Sequence, residues 1–252
     1  MNIAGNTVFI PGATSGIGLA LAVRLRAAGN TVVIGGRRTD LLERLAAEHG
    51  FGTVRIDTAD PASITEATAD VVARYPDLNV LVAMAGIMRV EDWTTPGFLA
   101  DAEATVTTNL LGPIRLIAAL TEHLQGRPGA TIVTVSSGLA HAPLRVTPTY
   151  NATKAAIHML SETLRLQLAP AGVQVIELVP PSVRTALLPG QETSDFAMPL
   201  DEFADEVMSL LKAQPDAAEI LVERVKFLRF GAARGDYDQV VATLNAADPH
   251  AR

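Results

Sequence analysis

The chain has 252 residues, of which 48% are hydrophobic and 19% are charged, and its formal net charge is −7. This composition predicts a globular chain of one large domain or two small ones rather than a disordered one. It has no cysteine, which excludes disulfides, thiolate metal sites and a cysteine nucleophile.

Short β-branched runs alternate with longer helical patterns along the whole chain. The predicted strands are residues 7–10, 31–35, 53–56, 80–86, 131–137, 173–179 and 219–222. The predicted helices are residues 17–28, 40–49, 61–75, 100–124 and 151–168. This alternation predicts an α/β fold, a doubly wound parallel sheet of about seven strands with helices on both faces. No linker interrupts the series, so residues 1–252 are predicted to form a single domain.

A glycine-rich turn joins the first strand to the first helix. Gly12, Gly16 and Gly18 are spaced at i, i+4 and i+6. Glycine there lets the chain turn sharply, lets a pyrophosphate approach bare backbone, and lets the helix pack against the strand. The helix N-terminus adds N–H groups and a positive dipole end. The pattern predicts a dinucleotide site. An ordinary glycine-rich turn is the weaker alternative, because the βαβ unit is complete.

The end of the second strand distinguishes NAD from NADP. An acidic residue there favours NAD, because it binds the ribose 2′-hydroxyl. This chain has Gly36 followed by Arg37 and Arg38. A guanidinium suits the 2′-phosphate of NADP, so we expect NADP(H) as the cofactor. The alternative is two solvated arginines, but positive charge is unfavourable at a helix start, which favours a ligand role for at least Arg37.

Tyr150 and Lys154 are four residues apart, so they lie on one face of a helix. A nearby ammonium lowers the pKa of a tyrosine, which would let Tyr150 act as general acid in reduction and base in oxidation. Ser137 closes an apolar strand, where its hydroxyl would hold a substrate oxygen beside Tyr150. The alternative is a surface Tyr–Lys pair. Ser136 is interpreted as structural. His141 is not interpreted as a general base for Ser137, because no third residue completes a catalytic triad.

Asn109 lies in the middle of the predicted helix 100–124, where asparagine is a poor helix former. Pro113 has no N–H, so the carbonyl of residue 109 loses its i+4 partner. We expect a kinked helix that presents this carbonyl to a proton relay ending at Lys154. The alternative is a kink that serves packing alone.

In their order along the chain, these motifs resemble the short-chain dehydrogenase/reductase family over residues 2 to about 185, most of all its poorly characterised bacterial members. The resemblance implies a Rossmann-type fold, a nicotinamide cofactor and a homodimer or homotetramer. The catalytic residues it implies are Asn109, Ser137, Tyr150 and Lys154. The cofactor-binding candidates are Gly12, Thr14, Ser15, Gly16, Ile17, Gly18, Arg37, Arg38, Asp57, Ala85, Gly86, Tyr150, Lys154, Pro180, Val183 and Thr185.

Four residues depart from the family pattern: Pro11, Ala83, Met84 and Pro181. They bear on cofactor affinity and local geometry more than on the chemistry. They also motivate an alternative to the enzyme, a catalytically silent dinucleotide-binding sensor or scaffold. An imine or enoyl reductase is the nearer alternative, but those chemistries often alter the Ser or Tyr position.

The expected activity is hydride transfer between NADP(H) and a small carbonyl or alcohol substrate, with a substrate loop at residues 184–200. Met88 and Trp93 are assigned to packing by default. The sequence has no Lys/Arg-rich run, so we expect no binding to nucleic acid or to a membrane surface. Neither a signal peptide nor an apolar run of about 18 residues is found, so we expect a cytoplasmic protein. The histidines match no metal-binding motif, so we expect no metal.

Overall fold

The computed structural model describes residues 1–246 of the chain. The strands are β1 (Thr7–Pro11), β2 (Thr31–Gly36), β3 (Gly52–Arg55), β4 (Leu78–Ala83), β5 (Thr131–Val135), β6 (Gln174–Val179) and β7 (Glu219–Leu221). The α-helices are α1 (Gly16–Ala27), α2 (Thr39–His49), α3 (Pro61–Arg74), α4 (Leu99–Val106), α5 (Gly112–Gln125), α6 (Pro148–Leu168), α7 (Leu200–Ala213), α8 (Lys226–Arg229), α9 (Gly231–Arg234) and α10 (Tyr237–Ala246). Short 3-10 turns lie at Pro96–Phe98, Gly138–Ala140, Ala169–Ala171, Gln191–Thr193 and Glu223–Val225.

The strands form one parallel sheet in the order β3-β2-β1-β4-β5-β6-β7. The winding runs outward from β1 on one side and from β4 on the other. In such sheets ligands bind outside the carboxyl ends of the strands, at the point where the order reverses. The predicted doubly wound fold is therefore confirmed, and its switch point lies between β1 and β4.

Each strand is apolar on both sides because helices cover both faces of the sheet. Val8 and Ile10 face a first core between the sheet and α1, α2 and α7. Phe9, between them, faces a second core between the sheet and α3, α5 and α6. All three side chains are fully buried. This alternation makes the strands predominantly apolar, as in the TVFIP sequence of β1.

Two strands end earlier than the sequence predicts. β4 stops at Ala83 rather than at residue 86, and β5 stops at Val135 rather than at residue 137. The residues after each strand leave the ladder at the carboxyl edge of the sheet. Their backbone and side chains are thus available to a site at the switch point.

The predicted helix 100–124 is three segments in the structure. A π-helical stretch, Thr107–Leu111, separates α4 from α5. There the backbone pairing widens to i→i+5, as the Gly112 N–H donates to the Thr107 carbonyl. Pro113 contributes to this break because it has no N–H to offer residue 109.

The sequence prediction missed the helices after residue 199. The signal for α7 was present, since Leu200, Phe203, Val207 and Leu211 recur at helical spacing and face the first core. Arg24 of α1 ties the two helices together through Asp205, at 2.6 Å. None of the helices in residues 1–246 is long and apolar enough to cross a membrane.

Candidate active site

The glycine turn packs directly against the end of β4. Gly12 has a φ of +86°, and a Cβ there would lie 2.8 Å from the Ala85 Cα atom. A Cβ on Gly18 would lie 2.8 Å from the Ala13 Cα atom and 3.1 Å from the Met84 sulfur. Side chains at these two glycines would push apart the turn, α1 and the segment after β4. Glycine is therefore required by a close backbone approach at the switch point.

The N-terminus of α1 is suited to an anion. The helix begins at Gly16, has no acidic residue in its first turn, and has no side-chain cap from Ser15. The first N–H groups of a helix, here including Ile17, have no partner within the helix. A Cβ on Gly16 would lie 3.5 Å from the Thr185 side chain, so Thr185 borders the same turn.

Arg37 and Arg38 lie beside the glycine turn. Their neighbour Gly36 packs so closely on Thr14 that a Cβ would lie 2.5 Å from the Thr14 methyl group. Both arginine side chains are exposed, and neither forms an ion pair or hydrogen bond within residues 1–246. Two unpaired guanidinium groups thus stand next to the predicted pyrophosphate site.

Asp57 follows β3 at the same edge of the sheet. Its Oδ1 atom accepts the Ala59 N–H at 3.0 Å, and its own N–H donates to Ser63 Oγ at 2.9 Å. The Ile56 N–H donates to the Gly36 carbonyl at 2.9 Å, which joins this turn to the end of β2. These bonds hold Asp57 next to the end of β2, where Arg37 and Arg38 follow.

Asn109 braces the segment that follows β4. Its Oδ1 accepts the Ile87 N–H, and its Nδ2 donates to the Ile87 carbonyl, both at 2.8 Å. The buried side chain thereby satisfies both the N–H and the carbonyl of Ile87, which is partly buried. A Cβ on Gly86 would lie 3.3 Å from Asn109 Oδ1 and 3.9 Å from Lys154 Nζ. Gly86 therefore lies between the Asn109 side-chain amide and the Lys154 ammonium.

Ser137, Tyr150 and Lys154 meet at the carboxyl edge of the sheet. Tyr150 and Lys154 are buried on the first turns of α6, and the Ser137 hydroxyl acts closely enough on the Tyr150 hydroxyl to lower its pKa. Lys154 Nζ donates to the Val135 carbonyl at 2.8 Å and lies 5.5 Å from the centre of the Tyr150 ring. Ser137 Oγ also accepts the Leu139 N–H at 3.1 Å, which fixes the serine rotamer.

The ionisation of the Tyr150–Lys154 pair differs from the sequence expectation. Burial raises the pKa of Tyr150 to about 12, although the hydrogen bond from Ser137 opposes this rise. Burial also lowers the pKa of Lys154 to about 8. The expected lowering of the tyrosine pKa is thus wrong for the chain by itself. Desolvation disfavours both charged forms, and the ammonium points at a backbone carbonyl rather than at the phenol oxygen.

Residues 180–185 form one wall of the site. The Gly138 N–H donates to the Pro180 carbonyl at 2.9 Å, which ties this segment to the loop after Ser137. Val183 is buried and forms a bridge with Met198, which closes the loop at residues 184–200 at its base.

A cavity of about 160 Å³ opens beside Ser137 and Tyr150. The loop at residues 184–200 covers it with Leu187 and Leu188. A larger open groove of about 920 Å³ lies beside Met1 at the amino-terminal edge of the sheet. That groove contains none of the predicted site residues, and the opposite edge is where ligands bind in this fold. The smaller cavity is the candidate substrate pocket.

The four departures from the family pattern all pack as apolar groups. Pro11 ends β1 opposite Gly35, where the ladder stops. Ala83 is buried in the second core, and Pro181 lines the candidate substrate pocket. Met84 lies against Gly18, as described above. Their effect on cofactor affinity stays a prediction.

A polar cluster lies behind the site and has no counterpart in the sequence motifs. His141, His158, Glu177 and Glu219, here called the His–Glu cluster, each offer a ligand atom within 4.8 Å of the others. The carboxylates already have partners. Glu177 accepts from Ser136 and lies 2.9 Å from His158 Nδ1, and Glu219 accepts from Arg229 Nε at 2.9 Å. The two carboxylates are thus held in a hydrogen-bonded network, drawn from segments too far apart in sequence for any spacing rule to predict.

Comparison with known proteins agrees with this geometry. A family model described as short chain dehydrogenase matches residues 6–195. The uncharacterized oxidoreductase DltE of Bacillus subtilis is 38% identical over 257 residues, covering 98% of this chain and all of its own. The serine 3-dehydrogenase of Rhizobium radiobacter is 34% identical over 176 residues, covering 69% of this chain and 70% of its own.

A solved structure supports the same family assignment. A short chain dehydrogenase from Burkholderia cenocepacia, in complex with NADP, is 25% identical with a TM-score of 0.81, covering 97% of this chain and 99% of its own. The family match spans the glycine turn, the tyrosine and lysine of α6, and the segment at residues 180–185. The chain belongs to the short-chain dehydrogenase family of oxidoreductases.

Proposed function

We propose that this protein is an NADP(H)-dependent oxidoreductase that interconverts a carbonyl compound and an alcohol, with Tyr150 as the proton donor and acceptor. One observation carries the proposal. Ser137 and Tyr150 line the same pocket, Ser137 acts closely enough on the Tyr150 hydroxyl to lower its pKa, and Lys154 lies one helical turn away. This is the arrangement that a reaction at a carbonyl oxygen requires.

The residues at the switch point fit a nicotinamide dinucleotide. Gly12, Gly16 and Gly18 form a turn without side chains next to the uncapped N-terminus of α1, which suits a pyrophosphate. Arg37 would hold the 2′-phosphate, which favours NADP over NAD. The similar protein from Burkholderia cenocepacia was solved with NADP. Such a cofactor supplies a hydride to a carbonyl carbon or accepts one from an alcohol carbon.

The other predicted residues would support the cofactor or its orientation. The nucleoside end would meet Thr14, Ser15, Ile17, Arg38, Asp57, Ala85 and Gly86. The nicotinamide end would meet Tyr150, Lys154, Pro180, Val183 and Thr185. Asn109 acts through the segment at Ile87, so it is proposed as a positioning residue in addition to its predicted place in the proton relay.

The chain's own groups handle the proton. In the reducing direction, the hydroxyls of Ser137 and Tyr150 donate to the substrate oxygen, and Tyr150 then transfers its proton to that oxygen. A pKa of about 12 keeps Tyr150 protonated at neutral pH, so it is ready as an acid. The Lys154 ammonium favours the resulting tyrosinate by charge attraction. In the oxidising direction the same proton moves back to Tyr150.

The proposal is tested with Tyr150→Phe. Loss of general acid–base catalysis typically lowers turnover by roughly 10²–10⁴-fold, while NADPH affinity measured by fluorescence titration should stay within a few-fold. Tyr237→Phe, on the partly exposed start of α10, is the matched control. Full turnover of a ketone panel by Tyr150→Phe would contradict the mechanism. Tight cofactor binding without turnover in the natural protein would favour the silent sensor.

A further inference from the structure

The candidate substrate pocket is apolar beyond its two catalytic hydroxyls. Met88, Leu144 and Leu188 are buried with Tyr150 in one cluster. Phe196, Leu228 and Leu244 extend this lining away from Tyr150. Phe196 is 69% exposed, which places a large aromatic ring at the mouth of the pocket.

Among the described residues, none that lines this pocket carries a charged side chain. Three polar residues outside the catalytic pair line the pocket, Ser182, Gln191 and Ser194, and the side chains of the last two bond to the loop itself. Gln191 Nε2 donates to the Val183 carbonyl at 2.5 Å, and Ser194 Oγ accepts the Phe196 N–H at 3.3 Å. They shape the loop at residues 184–200 and leave the pocket wall neutral.

Two cations on the flanking segments, Arg184 and Arg229, already have carboxylate partners. Arg184 is 3.6 Å from Asp195 and donates to the Ser194 carbonyl at 3.1 Å. Arg229 forms two hydrogen bonds with Glu219, at 2.9 and 3.1 Å. A carboxylate or phosphate that entered the pocket would lose its hydration and gain no counter-charge from these groups. Burial of an unpaired ion is strongly unfavourable.

We infer that the physiological substrates are small, neutral, apolar ketones, aldehydes or the matching alcohols, and that anionic carbonyl compounds are excluded. The inference rests on the proposed function, because it assigns the substrate class of the same pocket. The cavity of about 160 Å³ is smaller than the roughly 300–1,000 Å³ of sites for drug-sized ligands, so the buried part of the substrate is small.

The first test compares two ketones that differ in the charge of the terminal group and by one methyl group, methyl 5-oxohexanoate and 5-oxohexanoate, at saturating NADPH. Both have a methyl ketone at the same distance from the terminal group. We expect kcat/KM for the ester to exceed that for the acid by at least about 100-fold, because the carboxylate is desolvated without a partner. Isothermal titration of both compounds into Tyr150→Phe saturated with NADPH, whose nicotinamide ring is uncharged, should give the same preference with little turnover.

The outcomes separate this inference from the proposed function. Turnover of the acid equal to or better than that of the ester would overturn the substrate class and leave the oxidoreductase intact. An absence of turnover with every carbonyl compound, in protein that binds NADPH, would overturn both. Preference for the ester in both turnover and titration supports both.

A second test places a cation at the mouth of the pocket. Phe196→Arg is expected to raise kcat/KM for 5-oxohexanoate by at least about tenfold, because it supplies the missing counter-charge. Phe196→Leu is the matched control and should keep the preference for the ester. Because Phe196 is mostly exposed, both variants are expected to fold. An unchanged ester-to-acid ratio in Phe196→Arg would contradict the assignment of this pocket.

Discussion

Arg37 is the residue on which the proposed cofactor preference depends most directly. It follows the last buried residue of β2, and its exposed side chain has no partner among residues 1–246. A guanidinium that is already solvated and unpaired loses little when it binds a phosphate. The 2′-phosphate is the group that distinguishes NADP from NAD. We therefore expect Arg37 to contribute to the binding of NADPH and not to that of NADH.

We expect Arg37→Glu to weaken NADPH binding and leave NADH binding nearly unchanged. In the natural protein, NADPH at a hundred times its Kd adds about 2.7 kcal/mol of stability, a rise of roughly 5–11 °C in Tm for a chain of this size. Thermal unfolding with each cofactor measures the effect. Arg44→Glu, exposed on α2, is the charge-matched control. Equal losses for both cofactors would move the 2′-phosphate site elsewhere.

At the scale of elements, Glu177 joins the strand and the helix that carry the catalytic groups. It lies on β6, accepts from Ser136 at the end of β5, and bonds His158 on α6. Ser136 directly precedes Ser137, and His158 lies one turn beyond Lys154. Burial raises the pKa of Glu177, while the bonds from Ser136 and His158 oppose that rise. One buried carboxyl therefore fixes β5 relative to α6.

Glu177→Ala is expected to destabilise the fold by about 3 kcal/mol, because it leaves the buried Ser136 and the partly buried His158 without this acceptor. For a chain of this length that corresponds to a fall of roughly 6–12 °C in Tm, measured by calorimetry. Glu122→Ala, exposed on α5, is the control and should change stability by less than about 0.5 kcal/mol. A Tm equal to that of the control would show that the contact contributes nothing.

At the scale of the whole molecule, apolar side chains remain exposed on the helices that carry Asn109 and Tyr150. Those on α4, the π-helical segment, α5 and α6 are Leu99, Val106, Leu111, Ile114, Met159 and Leu166. Exposed apolar residues grouped on adjacent helices are typical of interaction surfaces. We propose that a second copy of this chain covers them, in line with the homo-oligomer that the family resemblance implies.

The oligomer is tested with Ile114→Glu. A charge at the centre of an apolar interface is unfavourable, so we expect a shift from a dimer or tetramer toward the 26.5 kDa monomer in light scattering. Thr65→Glu, on the exposed side of α3, is the control. A natural protein that is monomeric at micromolar concentration would contradict the proposal.

The pH dependence of folding also belongs to the whole molecule, because His141 is shifted by groups from distant segments. Burial, Arg229 and His158 lower the pKa of His141 from 6.5 to about 4. The unfolded chain binds a proton that the folded chain excludes. The stability from this group is therefore complete above pH 6.5 and is lost as the pH falls through about 4.

We expect His141→Asn to make stability depend less steeply on pH between 6.5 and 4. Chemical denaturation at several pH values measures the slope. His49→Asn, at the end of α2, is the control for loss of a histidine elsewhere. The same slope in the natural protein and in His141→Asn would contradict the assignment.

The amino-acid sequence by itself determined the fold class, the position of the glycine turn and the order of the catalytic candidates. These follow from local rules. Apolar runs of strand length must be covered on both faces, and helices between them impose parallel crossovers. The requirement for glycine at Gly12 and Gly18 is likewise a steric property of one turn. Pro113 marked the break in the helix correctly, because its missing N–H acts only on its own turn.

Only the tertiary structure decided the electrostatics and the shape of the site. The pKa of Tyr150 rises because burial outweighs the opposing effect of Ser137, and burial is a property of the packed molecule. The His–Glu cluster and the apolar pocket are built from residues up to about a hundred and fifty positions apart, such as Met88 and Leu244. Periodicity and spacing report on neighbours within a few turns of the chain. They carry no information on which distant side chains the fold brings into contact.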